Sequence, residues 1–142
     1  MRSVQQLLEE KPQQVLSIQP QAKVFDALML MAEKDVGALV VLEGDKLVGI
    51  FSERDYARKI ILFGKTSKDT SVGEIMTAKV VCVRPEQMVD QCMALMTQKR
   101  VRHLPVLSEK KVVGIISIGD VVRAMLQDQQ HTIEQLEQYI MS

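Results

Sequence analysis

The apolar positions of this chain fall into one pattern written twice, 65 residues apart. A short β-rich run, Val15–Ile18, ends near Pro20, and a second, Val80–Val83, ends before Pro85. Proline cannot donate within a sheet ladder, so each run should stop there. Val24, Leu28, Met31 and Ala32 then recur at helical spacing, as do Val89, Met93 and Met96. Two apolar strands follow in each copy, Ala38–Leu42 with Leu47–Phe51 and Leu104–Leu107 with Val112–Ile116. Short polar stretches, Glu43–Lys46 and Ser108–Lys111, join them as hairpin turns do. A further helix is expected to begin near Ser52 and again near Ser117. The predicted unit is strand, helix, strand, strand, helix.

Laid over one another without a gap, residues 15–60 and 80–125 are identical at 17 of 46 positions, which makes internal duplication the working assumption. Val48-Gly49-Ile50 meets Val113-Gly114-Ile115, Ser52 meets Ser117, and Asp55 meets Asp120. Half a chain of this size has little core of its own, so the two units should act as one module. The segments read as an N-terminal stretch 1–10, a first domain 11–62, a linker 63–72, a second domain 73–127 and a C-terminal amphipathic helix 128–142. Val4, Leu7 and Leu8 suggest an amphipathic turn or two in the first stretch. Ile133, Leu136 and Ile140 line one stripe of the last, which could dock on the body or on another copy.

Composition narrows the classes. Eighteen basic residues offset eighteen acidic ones in 142, so no global field draws the chain to nucleic acid or an anionic membrane. Trp is absent and Phe and Tyr total five, too few for base-stacking platforms. No apolar run approaches the ~20 residues that span a bilayer, and the polar N-terminus is not a secretory signal, which points to the cytoplasm. Cys82 and Cys92 have no metal-ligand spacing and read as small core residues. There is no nucleophile–base–orienter set, metal cluster, P-loop or Rossmann glycine pattern, so neither an enzyme, a catalytic cofactor nor a bound metal is expected.

Ser52-x-x-Asp55 and Ser117-x-x-Asp120 each fall where a strand gives way to a helix. Free backbone N–H groups and the helix dipole attract anions at such a place. The hydroxyl can donate to a phosphate, and the carboxylate can accept from both hydroxyls of a ribose. The same spacing is also a capping box, which needs no ligand. Both readings stand on the spacing alone.

Gly49-Ile50-Phe51-Ser52-Glu53-Arg54-Asp55 and Gly114-Ile115-Ile116-Ser117-Ile118-Gly119-Asp120 both match the G-hydrophobic-hydrophobic-S/T-x-x-D signature of CBS domains. With Gly73-Glu74-Ile75-Met76-Thr77 and Val101-Arg102-His103-Leu104-Pro105-Val106, the chain resembles the CBS domain pair, or Bateman module, over about residues 11 to 127. The resemblance implies an α+β (mixed α/β) fold with two β-α-β-β-α units packed sheet to sheet around a pseudo-two-fold axis. It implies a regulatory module without catalysis that binds an adenosyl ligand in the cleft between the domains. AMP comes first, then NAD(H), with ATP, ADP and S-adenosylmethionine as further candidates. A homodimer and an unidentified regulated protein are the implied partners, with no nucleic acid and no membrane.

Two nucleotide sites follow from the resemblance and the 65-residue offset. Site A would use Ser52, Glu53, Arg54, Asp55 and Arg58, with Met76, Thr77, Val80, Val81, Val101 and Arg102. Site B would use Lys11, Val15, Leu16, Val36, Gly37 and Ala38, with Arg102, His103, Ser117 and Asp120. In both, the aspartate takes the ribose and the serine helps hold the phosphate. The valines could equally be core. Arg102 suits bidentate phosphate binding, and His103 could tune it with pH. Arg54 makes the Asp55 site the more cationic, with Arg58 and Lys59 either assisting or forming a solvated face. The competing reading is a scaffold whose clefts stay empty.

Overall fold

The computed structural model describes residues 1–10 and 14–141. They form helix α1 (Val4–Glu10), strand β1 (Ser17–Ile18), α2 (Val24–Lys34), β2 (Ala38–Glu43) and β3 (Lys46–Ser52). Next come α3 (Glu53–Asp55), continued by a π-helical turn at Tyr56–Ile60, and α4 (Val72–Ile75). The chain ends with α5 (Val89–Lys99), β4 (His103–Ser108), β5 (Lys111–Ser117) and α6 (Ile118–Met141).

These elements gather into two compact units, the first built on the first sequence copy with a short piece of the second, the other built on the second copy with the N-terminal stretch. The first holds Gln14–Val80 and Glu109–Val112. Its sheet runs β1-β2-β3, with β1 parallel to β2 and β2 antiparallel to β3. Val24, Ala27 and Met31 on one stripe of α2 bury against Leu39, Val41 and Phe51 of the sheet. Val72 and Ile75 of α4 complete that core.

The second unit holds residues 1–10, Val81–Ser108 and residues 113–141. β4 and β5 form its two-stranded sheet, and Val83 adds a parallel bridge to Val106. Cys92 and Met96 of α5, Leu104, Val106 and Ile116 of the sheet, and Val121 and Ala124 of α6 form the core. Val4 and Leu7 of α1 close it. Helix α1 is stitched in place by Val4 N–H donating to the Gln87 carbonyl (2.8 Å) and Val89 N–H to the Arg2 carbonyl (3.1 Å).

The duplication is visible in the backbone. Helices α2 and α5 both end on a non-glycine residue in the left-handed region, Asp35 (φ 53°) and Arg100 (φ 56°), 65 positions apart. In each, the following valine N–H caps back, Val36 to Met31 (3.0 Å) and Val101 to Met96 (3.2 Å).

Several elements differ from the periodicity. In the run Val15–Ile18 the strand is Ser17–Ile18, and in Val80–Val83 it is Val83 that bridges to Val106. The amphipathic turn at the N-terminus is a seven-residue helix. The C-terminal helix expected over 128–142 is the continuation of α6, because no Gly or Pro follows Gly119 to break it.

Candidate functional site

Strand β3 ends and α3 begins at Ser52, whose extended backbone (φ −124°, ψ 164°) makes it the N-cap. The Ser52 hydroxyl accepts from the Asp55 N–H (3.2 Å), and the Ser52 N–H donates to Asp55 Oδ2 (2.9 Å). The hydroxyl also donates to Oδ2 (3.1 Å). This reciprocal pair satisfies two backbone donors that a helix start leaves without partners.

The other carboxylate oxygen, Oδ1, has a separate set of partners. The Thr77 hydroxyl donates to it at 2.9 Å, and the Lys59 ammonium lies 3.4 Å away. That ammonium also donates to the Ile75 carbonyl (2.9 Å). Thr77 is positioned by a two-way backbone bridge with Ile50, both bonds 2.9 Å. Met76 lies over Gly49, where a Cβ would sit 2.5 Å from the thioether sulfur. Asp55 is 8% exposed, so its carboxylate is held almost wholly by protein groups.

At the matching junction in the second unit, the Ser117 N–H donates to Asp120 Oδ2 (2.9 Å) and the Asp120 N–H to the Ser117 hydroxyl (3.2 Å). Here Oδ1 accepts from the Arg123 guanidinium (2.6 Å), whose side chain is 58% exposed. The two caps are alike and the two Oδ1 environments are not. The first amide of each helix is tied to the corresponding carbonyl, Glu53 N–H to Gly37 (3.1 Å) and Ile118 N–H to Arg102 (2.9 Å).

Of the residues expected at site A, Ser52, Glu53, Arg54, Asp55, Arg58, Met76, Thr77 and Val80 belong to the first unit. Val81, Val101 and Arg102 belong to the second. Of those expected at site B, Val15, Leu16, Val36, Gly37 and Ala38 belong to the first unit, and Arg102, His103, Ser117 and Asp120 to the second. Lys11 lies outside the described residues. Arg58 is exposed, and it is Lys59 that meets Asp55. Arg123 was not among the expected residues. Its position three after Asp120, one helical turn on, was the available signal.

No group of three or more His, Cys, Asp or Glu able to hold a metal occurs among the described residues. Burial pushes the Cys82 thiol up, and burial together with the nearby Asp90 charge pushes Cys92 up to about 11. Neither sulfur is a ready nucleophile at neutral pH.

The sequence model of the CBS domain matches residues 11–62 and 72–127. The chain belongs to the CBS domain family. As a CBS domain pair it is 48% identical over 122 residues to the mitochondrial CBS domain-containing protein CBSX3 of Arabidopsis thaliana, covering 82% of this chain. It spans 59% of that relative's length. The solved structure of a protein with CBS domains from Burkholderia ambifaria MC40-6 is 51% identical, with a TM-score of 0.87 over 90% of this chain and 96% of that one. The CBS domain pair of protein MJ0100, solved with 5′-methylthioadenosine and S-adenosyl-L-methionine, shares the fold at 22% identity. Its TM-score is 0.80, over 90% of this chain and 98% of that one. No helix among the described residues is long and apolar enough to cross a membrane.

Proposed function

We propose that this CBS domain pair is a regulatory module that binds an adenosine-bearing ligand and catalyses no reaction. AMP is the first candidate, followed by NAD(H), ATP or ADP, and S-adenosylmethionine. The observation that carries the reading is the Asp120 carboxylate. Its Oδ2 is committed to the cap, while its Oδ1 is held by an exposed arginine that a ligand can displace. A ribose offers two adjacent hydroxyls to such an oxygen, and hydrogen bonds to a charged group are each worth about 1.5–3 kcal/mol. Arg102, whose own carbonyl takes the first amide of α6, is exposed and can meet a phosphate bidentately. The adenosyl ligands of the MJ0100 pair support the same ligand class.

Binding would act by favouring one arrangement over another, since a ligand shifts an equilibrium by its differential affinity for the two states. A cytoplasmic location, a homodimer and a regulated partner protein are parts of this proposal.

A second reading, a scaffold whose sites stay empty, is favoured by one observation: Asp55 is buried and already satisfied by Thr77 and Lys59. Calorimetry with AMP, adenosine, NAD and S-adenosylmethionine separates the two. Under the first reading at least one of them binds, Asp120→Ala weakens it with the fold retained, and Arg102→Ala weakens AMP more than adenosine. No heat from any of the four would establish the scaffold instead.

A further inference from the structure

Helix α6 carries a second apolar stripe that its own unit does not use. Val121 and Ala124 are buried, whereas every residue from Gln129 to Met141 is exposed. That stretch is thirteen residues of helix (129 to 141), a length that is marginal in water without tertiary packing. Its apolar residues are regularly placed. Val122, Leu126, Ile133, Leu136 and Ile140, with Gln129 between them, step by 4, 3, 4, 3 and 4 along one line. This is the a/d spacing of two helices packed on each other. All five apolar members are exposed, from 40% at Val122 to 80% at Ile140.

We propose that this stripe is the seam of an antiparallel pairing between α6 and α6 of a second copy of the chain, crossing near His131. The inference deepens the homodimer proposed above; it shares Arg123 with the Asp120 site, and its test uses the protein without added ligand. In an antiparallel seam each a position faces a d position of the other helix. A single register then sets Leu126 against Leu136 of the second copy, Ile140 against Val122, and Ile133 against Gln129. The same register brings Arg123 beside Glu137 of the second copy, twice by symmetry, as a self-complementary interface requires. A parallel seam would stack Gln129 on Gln129 and bring no opposite charges together across it. One more feature fits. A groove lined by Met1, Met125, Asp128, Gln129 and Thr132 runs beside the stripe. The antiparallel register places Tyr139 of the second copy, 80% exposed in its own chain, against Met125 in that groove.

Sedimentation of the full chain over a concentration series tests this. The wild type dimerises, and Ile133→Glu, an exposed position that leaves the unit's core intact, raises the dimer dissociation constant at least tenfold. Glu137→Arg weakens the dimer, and adding Arg123→Glu in the same chain restores it. Amide exchange across residues 130–141 slows as the wild-type protein is concentrated. A dimer that ignores Ile133→Glu overturns this surface while leaving the homodimer standing. A dimer that Ile133→Glu weakens but the charge swap does not restore overturns the antiparallel register. A wild type that is monomeric throughout overturns both.

Discussion

The Thr77 hydroxyl donates to Asp55 Oδ1 at 2.9 Å, joining two residues 22 positions apart in sequence. The bond binds the segment after α4 to the start of α3 and occupies the oxygen that a ribose would need. Thr77→Val keeps the shape and removes the donor. Unfolding by urea should show a loss of about 1 kcal/mol, the ordinary net worth of one hydrogen bond. If adenosyl ligands use Asp55, the variant should also bind them more tightly than the wild type by calorimetry. Unchanged stability would mean the bond carries no weight in solution.

Gly49 and Gly114 are equivalent positions with unequal neighbours. A Cβ on Gly49 would meet the Met76 sulfur at 2.5 Å and the Thr77 backbone carbonyl at 3.0 Å. On Gly114 its three nearest neighbours would all be atoms of the Leu8 side chain, the first at 2.6 Å. Side chains can rotate aside and a bridged backbone cannot. Gly49→Ala should therefore cost about 1–3 kcal/mol, and Gly114→Ala less. Thermal melts of the two variants check the order.

The β4–β5 hairpin turns through Glu109 (φ 51°) and Lys110 (φ 66°), both left-handed and neither glycine. Such residues cost roughly 1–2 kcal/mol each, and Asn-Gly is the pair that two-residue turns of this hand favour. The double substitution Glu109→Asn with Lys110→Gly should stabilise the protein by about 1 kcal/mol or more, read as a higher urea midpoint at unchanged slope.

Cys92 sits in the core with its thiol pushed up to about 11 from an ordinary 9.0. The folded state therefore holds the proton more tightly than the unfolded state. Stability is whole below pH 9, falls as pH rises through the 9 to 11 window, and falls no further from this group above it. Cys92→Ala should flatten that alkaline decline, measured by unfolding at stepped pH. Native Cys92 should also resist a thiol reagent at pH 8 until the chain unfolds.

The hairpins, α2, α5 and the twin Ser-x-x-Asp caps were legible because each depends on residues close in sequence. Apolar runs joined by a short polar turn set β2 and β3, and the 65-residue offset set their copies. The initial strands were over-read, since Val15 and Leu16 are apolar and half-buried yet lie outside the two-residue strand. The partners of Asp55 Oδ1 were not legible. Thr77 was expected at site A beside Met76, Val80 and Val81, and nothing in spacing says that its hydroxyl turns to a carboxylate 22 residues away. The destination of α1 was hidden for the same reason: Val4 and Leu7 announce a buried face but not what buries it.

That destination has a consequence for the chain as a whole. Leu7 and Val72 stand at matching places in the duplicated pattern, and each fills the core of the unit built on the other copy. Truncating the first ten residues would spare the copy they precede and hollow out the far one. Cutting after Val80 would leave one fragment with an orphaned helix and the other with a gap where Val4 and Leu7 belong. Having traded helices, the two copies can no longer be inherited one without the other.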